Sequence, residues 1–258
     1  MILFRFDQTF EGVLTAVFEA YARRSFPDLL LGEDEPLPLF YDELFTVVTD
    51  VQKAERVWRG LQKRLSASAC SALAQSWLAE EAETPMSLFR YIRKAIDAPR
   101  SIECDFTDPD VLSLSRMWKR VDWERLRLMQ FVRFQKTADG LYYAAVEPEK
   151  NALPLVTLHF RDRFSDQRWL IYDIRRAYGY YYDGAGEVRH VTFDEAERCG
   201  ALQSGRLEQE RMAADERLFQ SLWQTYFKAI CIKERFNPRK HRQDMPVRYW
   251  KYLTEKQG

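Results

Sequence analysis

Phe131-Val-Arg-Phe-Gln-Lys-Thr-Ala-Asp-Gly-Leu-Tyr-Tyr-Ala-Ala-Val-Glu-Pro148 leads into Leu153-Pro-Leu-Val-Thr-Leu-His-Phe-Arg-Asp-Arg-Phe164 and then Trp169-Leu-Ile-Tyr-Asp173. Two alternating runs flank Asp139-Gly140, a dipeptide that supplies positive φ in a tight hairpin. A helix-like segment follows, with Leu155, Leu158 and Phe160 expected to face inward, and then another strand. Polar groups gather at the ends of these elements: Arg133, Gln135, Glu147, His159, Arg161, Arg163 and Asp173. Chemistry or recognition is expected to converge there.

Working outward, Met1–Phe6 reads as a strand, and Asp7 or Thr9 can cap a helix reaching about Arg24. Residues 28–43 carry six carboxylates, three prolines nearby and no Lys or Arg, and read as a solvated acidic loop. Leu44–Val48 is a strand, and Thr49 or Asp50 caps a helix with Ala54, Val57, Trp58, Leu61 and Leu65 on one face. Two further helices are expected near Ala67–Glu80 and Pro85–Ile96. Asp108 or Thr107 caps a long helix from Pro109, a residue whose missing N–H is harmless at the first helical position.

That long helix shows two faces. Val111, Leu114, Met117, Trp118, Val121 and Leu128 form the apolar one. Arg116, Lys119, Arg120, Trp123 and Arg127 share another stripe, where guanidinium groups with an interleaved indole suit a phosphate backbone and a base or sugar face. The same stripe is also what a solvated basic face paired with acidic neighbours looks like. Downstream, Ala177–Tyr182 and Val188–Phe193 form a second hairpin about Asp183-Gly184. Leu218, Phe219, Leu222, Trp223, Tyr226, Phe227 and Ile230 mark an amphipathic helix. From Lys228 to Lys251, eight Lys or Arg stand against Glu234 and Asp244. Lys233, Arg235, Arg239, Lys240 and Arg248, with Trp250, are candidate phosphate and base contacts. Alternatively Tyr249, Trp250 and Leu253 dock as a C-terminal clamp.

The 258 residues carry 39 basic and 39 acidic side chains, so a nucleic-acid surface requires local asymmetry of charge. Cys70, Cys104, Cys199 and Cys231 are too dispersed for a zinc ribbon or iron–sulfur motif, and the three histidines are far apart. No metal or cofactor is expected. No run is long and apolar enough for a membrane span, no signal peptide is read, and a cytoplasmic location is expected. No P-loop, G-x-S-x-G, G-x-G-x-x-G or H-E-x-x-H motif occurs. Glu147, His159 and Asp173 are the acid–base candidates, and each also fits a bland role as a strand-end ion pair, turn cap or packed histidine.

The Leu153–Phe164 and Trp169–Asp173 runs resemble an uncharacterised bacterial "probable DNA metabolism protein" family. Similar too are Asp7-x-Thr-Phe-Glu-Gly12, the Glu124–Phe134 segment, Trp223-Gln-Thr-Tyr-Phe-Lys-Ala-Ile-Cys-Ile-Lys-Glu-Arg-Phe-Asn-Pro-Arg239 and Met245-Pro-Val-Arg-Tyr-Trp-Lys-Tyr-Leu-Thr254. The resemblance implies genes lying beside one for a radical-SAM DNA modification or repair protein. It also implies relatives fused to a uracil-DNA-glycosylase-like domain, which is not expected here. It brings no catalytic residues. The polar positions that match are Arg127, Arg133, Glu147, His159, Arg163, Asp173, Lys233, Glu234, Arg235, Asn237 and Arg239. Leu126 and Gln130 depart from the pattern, which has His and Gly there, so histidine chemistry at that point is not implied.

The expectation is therefore an α+β protein with a helical N-terminal half holding a few strands, a central antiparallel sheet, a long C-terminal helix and a basic tail. The expected regions are 1–105, 106–195 and 196–258, with the option of one integrated domain. The leading functional expectation is a DNA-binding accessory or specificity subunit acting with a radical-SAM partner in DNA repair or modification. A DNA-processing enzyme, hydrolase or glycosylase-like, and a protein-interaction scaffold without nucleic-acid contact are the alternatives.

Overall fold

The computed structural model describes residues 1–194, 207, 209–229 and 237–256. The chain mixes helices and strands in two compact units, Met1–Asp122 and Trp123–Gly258.

The first unit holds a three-stranded parallel sheet in the order β2-β1-β3, from β1 (Ile2–Phe6), β2 (Leu29–Gly32) and β3 (Glu43–Thr46). Leu3 and Phe4, on opposite faces of β1, are both fully buried, as expected of a central parallel strand covered on each side. Helix α1 (Phe10–Arg23) begins where the Thr9 hydroxyl accepts from the Gly12 N–H. Asp50 caps α2 (Val51–Gln62) in the same way, through Gln52 and Lys53. Helices α3 (Ala67–Trp77) and α4 (Thr84–Asp97) complete the layer, and Leu61, Leu73, Leu88 and Ile92 form its buried centre. Helix α5 (Pro109–Phe131) starts on Asp108, whose carboxylate accepts from the Asp110 and Val111 N–H groups. The junction between the units falls inside α5.

β2 corrects the reading of residues 28–43 as a loop. Leu29-Leu30-Leu31 is a short unbroken apolar run, which a parallel strand permits, and apart from Asp28 the carboxylates of the stretch come after Gly32.

The second unit is built on a five-stranded sheet ordered β4-β5-β6-β7-β8. Its strands are β4 (Gln135–Lys136), β5 (Tyr142–Val146), β6 (Trp169–Asp173), β7 (Tyr178–Tyr182) and β8 (Val188–Thr192). The expected hairpin at Asp139-Gly140 joins β4 to β5, with Gly140 at φ 81°. The second hairpin joins β7 to β8. The sheet is not wholly antiparallel, because β5 and β6 run parallel. A 3₁₀ turn (Leu153–Val156) and helix α6 (Thr157–Arg163) lie between them, and this crossover returns the chain to the end where β5 began.

Helix α6 buries Phe160 and leaves Leu158 60% exposed, against the inward orientation expected of Leu158. Phe160, Phe164 and Phe134 cluster beside Trp169, which stacks on Tyr182 at 5.4 Å between ring centres. Tyr249 and Leu253 are buried in this same core, so the C-terminal clamp is present. A long C-terminal helix is not found among the described residues: α7 (Glu216–Ala229) has 14 residues and α8 (Pro238–Asp244) has 7.

Two glycines give opposite expectations. A methyl group at Gly179 on β7 would lie 2.5 Å from the Ile171 carbonyl oxygen, which the sheet holds in place. Gly179→Ala is expected to cost ~1–3 kcal/mol as an overpacked site. A methyl at Gly60 within α2 meets nothing within 4 Å. Gly60→Ala is expected to stabilise by ~0.5–1 kcal/mol, since alanine is the better helix former. Urea denaturation of both variants checks the pair of signs.

Candidate functional site

Within the second unit, a cavity of about 920 Å³ opens beside the sheet. Residues four apart on α6 share a face, so one turn presents His159 with Arg163 and, next to them, Phe160 with Phe164. The β4–β5 hairpin contributes Lys136 and Tyr142, and the end of α5 contributes Met129 and Gln130. Opposite them, α7 lays Glu216, Phe219, Gln220 and Trp223 along one side at helical spacing. The volume lies within the ordinary range for a small-molecule or nucleotide site, and the mixture of rings with a few charged groups is typical of one.

A buried carboxylate binds two residues of the lining, Arg133 and Trp223. The Glu255 side chain is wholly inaccessible to solvent and receives the Arg133 guanidinium at 2.8 and 3.3 Å. The Trp223 indole N–H donates to the same carboxylate at 2.9 Å, and the Arg133 guanidinium carbon lies 5.5 Å from the centre of the Trp223 ring. Burial pushes the Glu255 carboxyl upward, but the hydrogen bonds from Arg133 and Trp223 outweigh it and hold it below the ordinary glutamate range. Nearby, Glu216 accepts from the Lys136 backbone N–H at 3.1 Å and from the Gln220 amide at 2.8 Å. The Lys136 ammonium lies 3.8 Å from Asp215.

His159 and Arg163 differ from these groups. Neither makes an ion pair or a side-chain hydrogen bond to another described residue. His159 lies edge-on to Phe160 at 5.2 Å, and the Arg163 guanidinium is 5.7 Å from the Phe164 ring. An uncommitted cation and an imidazole on one helix face, among aromatic rings, can receive an anionic group attached to a planar one.

Of the residues singled out in the sequence, Arg133, His159 and Arg163 meet in this cavity. The other acid–base candidates do not line it. Asp173 is fully buried, and its carboxylate binds the Arg176 side chain at 2.9 Å and the Arg176 N–H at 3.2 Å, which closes the turn from β6 to β7. Burial raises the Asp173 carboxyl above its ordinary value despite Arg176. Glu147 is bound by Lys251 and by the Tyr252 hydroxyl.

Several cations proposed to contact DNA serve as counter-ions. Arg248 and Arg127 pair with buried Glu124 at 2.5 and 3.5 Å, Arg120 with Glu81, Lys240 with Asp244, and Arg161 with Asp162. The Trp250 N–H donates to the Met245 carbonyl. Arg116, Lys119 and Arg239 are exposed, as is Trp123 at 62%. Lys233 and Arg235, with Cys199 and Cys231, lie outside the described residues. Among the described residues no helix is long and apolar enough to cross a membrane, and no group of three or more His, Cys, Asp or Glu is arranged to hold a metal ion.

Sequence reasoning missed Lys136, Phe134, Phe164, Glu216 and Gln220 as parts of the site. In the sequence Trp223 and Phe219 stand on the apolar face of an amphipathic helix, and their spacing is the one available signal.

The fold and site define an α+β protein with an aromatic, partly cationic cavity. The chain belongs to the family described as a domain of unknown function, DUF4130, whose model matches residues 82–255 and so spans every residue lining the cavity. No curated protein matches it. A solved structure, the pGpG-specific phosphodiesterase PggH from Vibrio cholerae, is similar at 12% identity and a TM-score of 0.37, covering 89% of this chain and 99% of that one. A likeness at that level defines neither the fold nor the function of this chain.

The Glu255 carboxyl gives a pH prediction. A carboxyl held below its unfolded value stabilises the fold above that value, and the contribution is lost as pH falls through the folded one. Glu255→Gln is expected to cost ~2 kcal/mol or more at pH 7, because Arg133 loses a buried charged partner. The gap from wild type should narrow as pH drops below the unperturbed value of 4.5. Urea midpoints measured from pH 7 to pH 3 give the comparison, and a gap unchanged across that range would contradict the pairing.

Proposed function

We propose that this chain is a DNA-binding accessory or specificity subunit in DNA repair or modification, and that it receives an unstacked stretch of single strand in the cavity of its second unit. The observation that carries the reading is the pairing of uncommitted Arg163 and His159 with the rings of Phe164, Phe219 and Trp223 in one cavity. Arg163 holds a phosphate, His159 adds a second donor, and the Trp223 or Phe219 ring stacks on a base. Every base has a π face, so such a site tolerates many sequences.

The chemistry belongs to a partner in this reading. Glu147 and Asp173 are engaged in ion pairs away from the cavity, which removes support from a hydrolase built on those two carboxylates. The resemblance to a family encoded beside radical-SAM DNA modification or repair proteins supports a radical-SAM enzyme as that partner. Both would act in the cytoplasm.

The test is a fluorescence titration with labelled single-stranded DNA over a series of salt concentrations. The logarithm of the association constant is expected to fall linearly with that of salt, by about 0.7 for each phosphate held. Arg163→Ala should reduce that slope by roughly one contact, and Trp223→Ala should weaken binding by ~1–3 kcal/mol at any salt. Binding that is flat with salt, or unchanged in Arg163→Ala, would overturn the assignment.

A further inference from the structure

The connection from β2 into the first residue of β3 reads Glu33-Asp-Glu-Pro-Leu-Pro-Leu-Phe-Tyr-Asp-Glu43. It joins two strands that lie on either side of β1 and run parallel to it, so it must carry the chain back across the sheet. A crossover of this kind ordinarily covers the sheet with a helix and buries its own apolar side chains. This one forms no helix. Leu39 is 93% exposed and Phe40 is 85% exposed. Two adjacent large apolar side chains standing almost wholly in water gain nothing from the fold that carries them.

Their surroundings narrow what could cover them. Five carboxylates flank the pair and no Lys or Arg lies in the stretch. Asp42 is engaged by the Met1 amino group, and Glu35 lies 3.5 Å from the Gln8 amide. Glu33, Asp34 and Glu43 are exposed and make no ion pair with a described residue. Such a segment repels nucleic acid and anionic lipid alike. Pro36 and Pro38 fix their own φ angles and limit the freedom that docking would remove.

We infer that Leu39 and Phe40 are the anchor of a docking loop for a protein partner that offers an apolar slot rimmed by Lys and Arg. The apolar pair fills the slot, and the carboxylates steer the approach and hold the rim. The inference stands on the first unit alone and does not depend on the nucleic-acid reading of the second.

The experiment places the photoreactive residue benzoylphenylalanine at position 40 of the full chain in its native cells. After irradiation, the cross-linked peptide is identified by mass spectrometry. The expected product is a cross-link to a different protein, in a peptide where Lys and Arg outnumber Asp and Glu, lost in an E33K/D34K/E35K variant. A cross-link only to this chain, whether its own or a second copy, overturns the inference. So does a neutral or acidic captured surface, capture that survives charge reversal, or no capture. Thermal melting of L39S/F40S provides the second arm. An unchanged midpoint is expected, and a fall of several degrees would assign the pair to packing within the chain and overturn the docking role.

Discussion

A carboxylate withdrawn from water must be met by a cation or by several hydrogen bonds, and the second unit meets that demand locally at Asp173, through Arg176, and again at two carboxylates that reach across the chain. Glu255 is held by Arg133 and Trp223. Glu124 is held by Arg248, Arg127 and the Glu149 N–H. Removing one partner from such a buried group costs far more than an exposed ion pair contributes. Each carboxylate also ties distant stretches together: Glu255 joins the C-terminal turn to the segment between α5 and β4 and to α7, and Glu124 joins α5 to the Val247–Tyr252 turn. The cavity has a wall on its α7 side because Trp223 is anchored by the first of these.

The same demand sorts the cations. Basic side chains clustered in a sequence invite a nucleic-acid reading, yet those that answer a buried or neighbouring carboxylate are not available to phosphate. Arg127, Arg248 and Lys251 belong to that class. Arg163 does not, and it lines the cavity among aromatic rings, which is why the proposed binding role falls on it. Arg116, Lys119 and Arg239 are exposed as well, so it is available charge combined with the aromatic lining of a cavity, and not charge density along the chain, that marks the candidate site.

Local features of the fold were legible in the sequence. The Thr9 and Asp50 caps, Pro109 at a helix start and Gly140 in a hairpin are each set by neighbours within a few residues. Strand direction was not legible, because β5 followed by β6 reads as two strands whether the sheet between them is parallel or not. β2 escaped because three leucines beside carboxylates and prolines carry no alternation. Leu158 was misplaced because α6 has only 7 residues, too few to fix a face by periodicity. At the site, Arg133, His159 and Arg163 were legible as polar groups near strand and helix ends. Lys136 and the α7 residues were not, since they reach the cavity from positions about 80 apart in the chain, as in the bond from the Lys136 N–H to Glu216.

The central claim is that single-stranded DNA lies in the cavity of the second unit. Photo-cross-linking with an oligonucleotide carrying 5-iodouracil, followed by mapping of the adducts, tests it most directly. The account predicts adducts on the cavity's aromatic residues, above all Trp223, Phe219 and Tyr142, and their loss in Arg163→Ala. Adducts confined to the exposed Trp123 of α5 or to the α8 segment around Arg239, with none in the cavity, would contradict it.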